Sequence, residues 1–255
     1  MAEENKSDAK KYNHLISHYK LRQALGVLGI LLPVLVVVIE KTVGNAEACQ
    51  PSISHYFYSK AHVLFIGALC IMGALFCTYH GEDNKESRIA NITGICAFLV
   101  AIFPTGQSGF LPACESIKSN DIIACISCSD NFVEKDYHSW YMYIHFGSAV
   151  LMFLMIAIFC WFYLTKPEQD EHDKLYLRKK KNRNRYYRFC AVGILISLLV
   201  CYLSFREDKI LPYNTVYFCE TICLWLFGSA WLLKGSYGWK DSRNPMFKML
   251  YNVVR

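Results

Sequence analysis

Ionisable and hydroxyl side chains lie inside or beside long apolar runs of this sequence. A charged side chain at membrane depth costs on the order of 3 kcal/mol or more, so such residues usually serve a purpose. Two histidines with a carboxylate can hold a zinc ion that activates water, whereas a histidine paired with a carboxylate can line a ligand pocket. The residues that could do this chemistry are Glu40, Ser52, Ser54, His55, Tyr56, His62, His138, His145 and Glu220.

Four of these residues share one depth. Glu40 ends the first apolar run, His62 begins the second, and His145 and Glu220 lie about one turn inside the fourth and sixth. At 1.5 Å of rise per residue, all four fall within about 8 Å of one boundary of the runs. Three interpretations stay open: a polar pocket for a lipid headgroup or peptide, a zinc site, or polar residues that specify helix packing.

Metal-ligand spacing argues against the zinc interpretation. The sequence has no HxxxH or HxxE pair that would place two ligands one turn apart at this depth, so each ligand would have to come from a separate element. We therefore predict a pocket without a metal and without a cofactor.

The apolar runs themselves predict an all-α integral membrane protein built as a six-transmembrane-helix bundle. Of the 255 residues, 54% are hydrophobic, and a run of about 20 apolar residues must be helical in lipid, where no water satisfies the backbone. A segment 1–21 precedes the transmembrane domain 22–234, and a tail 235–255 follows it. The predicted spans are residues 22–41, 61–80, 89–105, 141–164, 189–205 and 215–234.

Basic residues predict the orientation. Of the 27 Lys and Arg residues, 21 fall in the terminal segments and the alternate loops, and six fall in the other loops. By the positive-inside rule this bias places both termini in the cytoplasm. The net charge of +6 thus reflects topology, and we predict no nucleic-acid partner. The basic run 166–188 is a topology determinant that could also bind anionic lipid.

The twelve cysteines divide by location. Eight lie in predicted spans, where cysteine behaves as a small apolar residue. The other four fall in the two loops placed outside by the charge bias, which predicts a disulfide-tied outer cap. Their pairing stays open, and the CISC segment could also be half of a metal site or a redox pair. The four residues are Cys49, Cys114, Cys125 and Cys128.

Three short motifs resemble a known family. They are PSIS before the second run, HFGSAVLMF in the fourth and ETICLWLFGSAWLLKG in the sixth. Their order is similar to that in the six-span membrane family of the damage-regulated autophagy modulators and the GPI-anchor lipid-remodelling proteins, with related uncharacterised bacterial proteins. The resemblance covers about residues 21–235 and singles out Pro51, Ile53, Ser54, His145 and Glu220.

The sequence departs from that family at one place. The family motif continues with Asp-Thr-Gly after the Ile-Ser pair, whereas this chain has His55, Tyr56 and Phe57 there. The resemblance implies a role in lipid handling or membrane organisation, with membrane lipids as partners and no well-defined catalysis. The alternatives are an intramembrane lipid hydrolase, possible with or without metal, and a small transporter.

Overall fold

The computed structural model describes residues 2–44, 50–81, 83–105, 139–166, 174–206 and 214–237. Within these ranges every regular element is helical, which confirms the all-α class. A 3₁₀-helix spans Ser54–Tyr58, and a π-helical turn, Phe159–Tyr163, continues the fourth α-helix. The α-helices are α1 Ala2–Thr42, α2 His62–Cys77, α3 Asn84–Ile102, α4 Ser139–Ile158, α5 Lys174–Arg206 and α6 Thr215–Tyr237.

Four helices are long and apolar enough to cross a membrane, as expected of an integral membrane protein. The crossing segments are Tyr19–Thr42, Trp140–Tyr163, Lys181–Ser204 and Thr215–Gly235. The helices of the second and third predicted spans, α2 and α3, are not among these four. Helix α2 has only 16 residues, and α3 begins at Asn84, so that its first turns carry Lys85, Glu86 and Arg88.

The helices form a closed ring in chain order. Each helix packs against the next, and α6 returns to pack along α1. We call the end that carries residues 50–61 the loop end. The start of α6 lies at this end, because Tyr217 donates its backbone N–H to Pro51 O at 2.9 Å. The opposite end, where α5 begins, is the basic end.

Paired glycines allow the backbones to approach closely at two helix contacts, α1–α6 and α2–α3. A Cβ on Gly228 of α6 would lie 2.6 Å from the carbonyl oxygen of Gly26 on α1. A Cβ on Gly94 of α3 would lie 2.6 Å from the carbonyl oxygen of Gly73 on α2. Small residues at such crossings let helix backbones pack directly, which is how helices associate in lipid.

Aromatic side chains fill the ring in the half nearer the basic end. Phe76, Phe159, Phe227 and Trp231 are all buried, and they come from α2, the π-helical turn and α6. Their rings are in contact: the Phe159 and Trp231 centroids are 5.1 Å apart, and those of Phe76 and Phe227 are 5.8 Å apart. This cluster is the centre of the hydrophobic core.

Candidate functional site

A carboxylate from α6 holds the segment that leads into α2. Ile53 donates its backbone N–H to Glu220 Oε2 at 2.5 Å, and the Ser54 hydroxyl donates to Glu220 Oε1 at 3.4 Å. Ile53 is the residue that precedes the 3₁₀-helix, so Glu220 satisfies an N–H group that the helix itself leaves open. A negative charge at a helix N-terminus is also favoured by the helix dipole.

A second carboxylate, from α1, holds the other end of the same segment. The backbone N–H of Lys60, just before α2, donates to Glu40 Oε2 at 3.1 Å, and Glu40 is buried. Together Glu40, Glu220 and the Tyr217 backbone form what we call the loop clamp. The clamp joins both α1 and α6 to one short segment. This segment therefore covers the loop end of the α1–α6 contact.

The clamped segment presents hydroxyl and imidazole groups. Ser52 is buried, its Oγ lies 2.6 Å from His55 Nδ1, and it accepts the backbone N–H of His55 at 3.2 Å. Tyr56 is also buried, and the Tyr58 hydroxyl donates to the carbonyl of Thr105 beyond α3. Of the predicted site residues, Ser54 contacts Glu220 directly, whereas Ser52, His55 and Tyr56 lie in the same short segment.

His145 lies at the same end but bonds to a different helix. Its ring is fully buried, with Nδ1 2.7 Å from the carbonyl oxygen of Phe103, the residue that directly follows α3. The last carbonyl groups of a helix have no partner within the helix, and a neutral imidazole N–H can satisfy one of them. His145 thus ties α4 to the end of α3.

The expected pairing of His145 with Glu220 is not formed among the described residues. Both residues lie about one turn inside their helices, but α4 packs mainly against α3 and α5, while α6 packs mainly against α1 and α5. Position along a helix can be predicted from the sequence, whereas position around the ring does not follow from it. Each side chain has instead found a backbone group nearby.

The remaining predicted residues have separate outcomes. His62 is exposed, and its Nδ1 lies 2.9 Å from Ser59 O in its own turn. Within the ranges described, no group of three or more His, Cys, Asp or Glu side chains is placed to hold a metal ion. The predicted site residue His138 and the four predicted disulfide cysteines lie outside the described residues; the latter are Cys49, Cys114, Cys125 and Cys128.

A buried charged network at the basic end was not predicted. Arg22 of α1 donates to the Tyr79 hydroxyl at 2.8 Å, and that hydroxyl donates to Glu86 Oε1 at 2.8 Å. Glu86 Oε2 lies 3.7 Å from Lys166 Nζ, beyond α4. Arg22, Tyr79 and Glu86 are buried, so these contacts neutralise charges that would be costly alone.

Asp83 links this network to the start of α3. It accepts the backbone N–H of Glu86 through Oδ1 and the Lys166 ammonium through Oδ2, both at 2.7 Å. The Lys166 hydrogen bond, with the backbone N–H, lowers the pKa of the exposed Asp83 carboxyl below its ordinary value. The spacing Asp83-x-x-Glu86 is a helix N-terminus signal that could have revealed the α3 start before the apolar run.

Comparisons with family models, curated proteins and solved structures give no match to this chain. The resemblance to the six-span lipid-remodelling family stays a prediction. The fold and contacts define an all-helical membrane protein whose loop end is closed by a carboxylate clamp.

Proposed function

We propose that this chain is a multi-pass membrane protein that organises membrane lipid at its loop end without catalysis. In this proposal all six helices cross the membrane, both termini are cytoplasmic, and the loop end faces outward. The bias of basic residues supports the orientation. The alternating course of the helices, with contacts such as Tyr217–Pro51 at one end and Lys166–Asp83 at the other, supports the count.

The loop clamp is the observation that carries the proposal. Glu40 and Glu220 accept backbone N–H groups from the segment 50–61, so these two side chains hold that segment in place. A carboxylate used in this way is satisfied in the resting protein, unlike a general base that awaits a proton from a substrate. The result is a fixed segment at the expected depth of lipid headgroups, in which the Ser52 and Ser54 hydroxyls are buried and His55 is half-buried.

The aromatic core supports organisation over transport. Phe76, Phe159, Phe227 and Trp231 fill the ring toward the basic end, and their close ring contacts leave that half packed like a protein interior. The resemblance of the PSIS segment and the sixth apolar run to lipid-remodelling proteins points the same way.

Anionic lipid is a second proposed partner, at the basic end. Lys181, Arg185 and Arg188 are all exposed, and their spacing places them on one stripe of α5. The Arg188 guanidinium also lies 5.6 Å from the centre of the Trp161 ring, which is partly exposed on the π-helical turn. Basic side chains near a negatively charged leaflet gain about 1 kcal/mol each.

Lipid retention tests the main proposal. Wild-type protein, His55→Ala and the control His80→Ala would be equilibrated in detergent with phosphatidylcholine, and bound phospholipid would be counted by native mass spectrometry. His80 is exposed and its Nδ1 bonds within its own turn, at the other end of the bundle. We expect about fivefold weaker retention in His55→Ala only, because one hydrogen bond contributes about 1 kcal/mol. Equal retention in all three proteins would contradict the proposal.

One contact favours the hydrolase alternative. The 2.6 Å approach of Ser52 Oγ to His55 Nδ1 is a serine–histidine pair, although the same Oγ also accepts the His55 backbone N–H as a local turn contact does. Release of fatty acid or headgroup by wild-type protein, abolished in Ser52→Ala, would establish hydrolysis in place of organisation.

A further inference from the structure

The packing of α5 against α6 fixes which residues of the two helices face each other. The Tyr186 hydroxyl donates to Ser229 Oγ at 2.8 Å, and nearer the loop end the Cys223 thiol lies 3.8 Å from Ile194 O. Residue numbers rise along α5 as they fall along α6, so the helices are antiparallel. The side chains of Ser197 and Cys223 also lie close to each other.

One further turn along each helix brings two thiols together. Residues four apart lie on the same helix face, so Cys201 follows Ser197 on α5 and Cys219 precedes Cys223 on α6. The thiols of Cys201 and Cys219 also lie close enough to interact with each other. The register of the two helices and the proximity of the thiols therefore indicate the same pair.

This pair lies near the loop end. Cys201 comes five residues before α5 ends at Arg206, and Cys219 comes four residues after α6 begins at Thr215. At 1.5 Å per residue both are about 6 to 8 Å from their helix ends. In the proposed orientation that end faces the oxidising side of the membrane, where disulfides persist.

We propose that Cys201 and Cys219 are a disulfide site that joins α5 to α6. In the reaction one thiolate attacks a small-molecule or protein disulfide and displaces a thiol, and the second thiolate then attacks the mixed disulfide and displaces the other thiol. One S–S bond forms and one is broken, two protons go to the leaving thiolates, and the incoming disulfide is reduced to two thiols. Both cysteines are free thiols in this structure.

The bond would act on the loop clamp. Cys219 directly precedes Glu220, whose carboxylate accepts the Ile53 N–H. A covalent link from α5 to this turn of α6 would hold Glu220 in register with the segment 50–61. The site thus rests on the orientation proposed above and extends the role of the clamp.

Peptide mapping tests the bond directly. Cells would be lysed with N-ethylmaleimide to trap free thiols, and the protein would be digested with trypsin without reduction. Cleavage at Lys and Arg yields peptide 189–206, with Cys190 and Cys201, and peptide 210–234, with Cys219 and Cys223. We expect the two peptides to be linked and to separate after reduction.

Four variants assign the link. It should persist in Cys190→Ser and Cys223→Ser, which change the other cysteine of each peptide, and disappear in Cys201→Ser and Cys219→Ser. Alkylation of both Cys201 and Cys219 in the wild-type protein would overturn the proposal, as would a link that forms only after copper-phenanthroline oxidation. Epitope tags at the termini, read in the same cells, would show whether the orientation had failed together with the bond.

Discussion

At the scale of single residues, three buried or half-buried acidic side chains in the described part of the chain accept hydrogen bonds from close partners. Glu220 and Glu40 accept backbone N–H groups, and Glu86 accepts the Tyr79 hydroxyl beside Lys166. Such partners offset the cost of burying a charge, and loss of one partner strands the other. The contacts therefore predict which residues depend on each other and which do not.

Glu220 and His145 should act independently. We expect Glu220→Gln and His145→Ala each to destabilise the protein by about 1 to 3 kcal/mol. Glutamine replaces one of the two accepting oxygens of Glu220 with a donor NH₂ group, and His145→Ala leaves the Phe103 carbonyl without its partner. Because their partners differ, the double variant should equal the sum of the single effects within about 0.5 kcal/mol. Unfolding in detergent measures all three free energies.

Ser54 provides the control for this comparison of single and double variants, because it does contact Glu220. Its hydroxyl donates to Glu220 Oε1, so Ser54→Ala combined with Glu220→Gln should fall short of the sum of the single effects. A clear coupling of Glu220 to His145, with none to Ser54, would refute the arrangement described for the loop end.

Asp83 should make stability depend on acid. Its pKa in the folded protein is lowered by the Lys166 hydrogen bond, so its stabilising effect is present above the unfolded pKa of about 3.9 and is lost as the pH falls through the folded value. We expect the melting temperature to fall between about pH 5 and pH 2, and to fall less in Asp83→Asn. An identical acid response in both proteins would count against the Lys166 contact.

At the scale of helices, apolar patterning predicted the elements better than their ends. The four long helices include most of the first, fourth, fifth and sixth predicted spans. Helix α3 instead begins at Asn84, five residues before its apolar run, because Asp83 caps it and Glu86 is buried against Tyr79. From the sequence alone, a charged residue such as Glu86 is taken as the end of an apolar span, although tertiary contacts bury it inside the fold.

The Tyr79 hydroxyl should be important for the contacts between helices at the basic end. Tyr79→Phe removes the group that joins Arg22 to Glu86, and we expect a loss of about 1 to 3 kcal/mol in unfolding free energy. Tyr143→Phe is the control, since Tyr143 is 69% exposed. Similar stabilities for the two variants would mean that the network adds nothing.

The α2–α3 contact should not tolerate a methyl group. A Cβ at Gly94 would lie 2.6 Å from Gly73 O, whereas a Cβ at Gly67, also in α2, meets nothing within 4 Å. We expect Gly94→Ala to destabilise the protein by about 1 to 3 kcal/mol through overpacking. Gly67→Ala should be neutral or stabilise by up to about 1 kcal/mol, because alanine favours the helix. Thermal melting of the two variants in one detergent checks the difference.

At the scale of the whole molecule, the sequence predicts position along a helix but not position around the ring. The choice of neighbours around the ring depends on glycine contacts such as Gly26–Gly228, which no apolar pattern reveals. Arg22 was taken as the boundary of the first span, so its contact with Tyr79 could not be foreseen. Long-range partners of this kind are set by tertiary packing.

The ring also makes a test of the number of spans possible. The α2–α3 turn lies at the basic end, where Asp83 contacts Lys166 beyond α4. If α2 and α3 both cross the membrane, this turn shares a side with both termini, and the chain between α3 and α4 lies on the other side.

Epitope tags placed at each terminus, after Glu82 and between residues 106 and 138 distinguish these sides. In intact cells, or in sealed vesicles if the protein is intracellular, antibody should reach only the tag between 106 and 138. The other three tags should become accessible after the membrane is permeabilised. If the tag after Glu82 were reached from outside while the termini stayed protected, α2 and α3 would not both cross, and the six-span arrangement would be wrong.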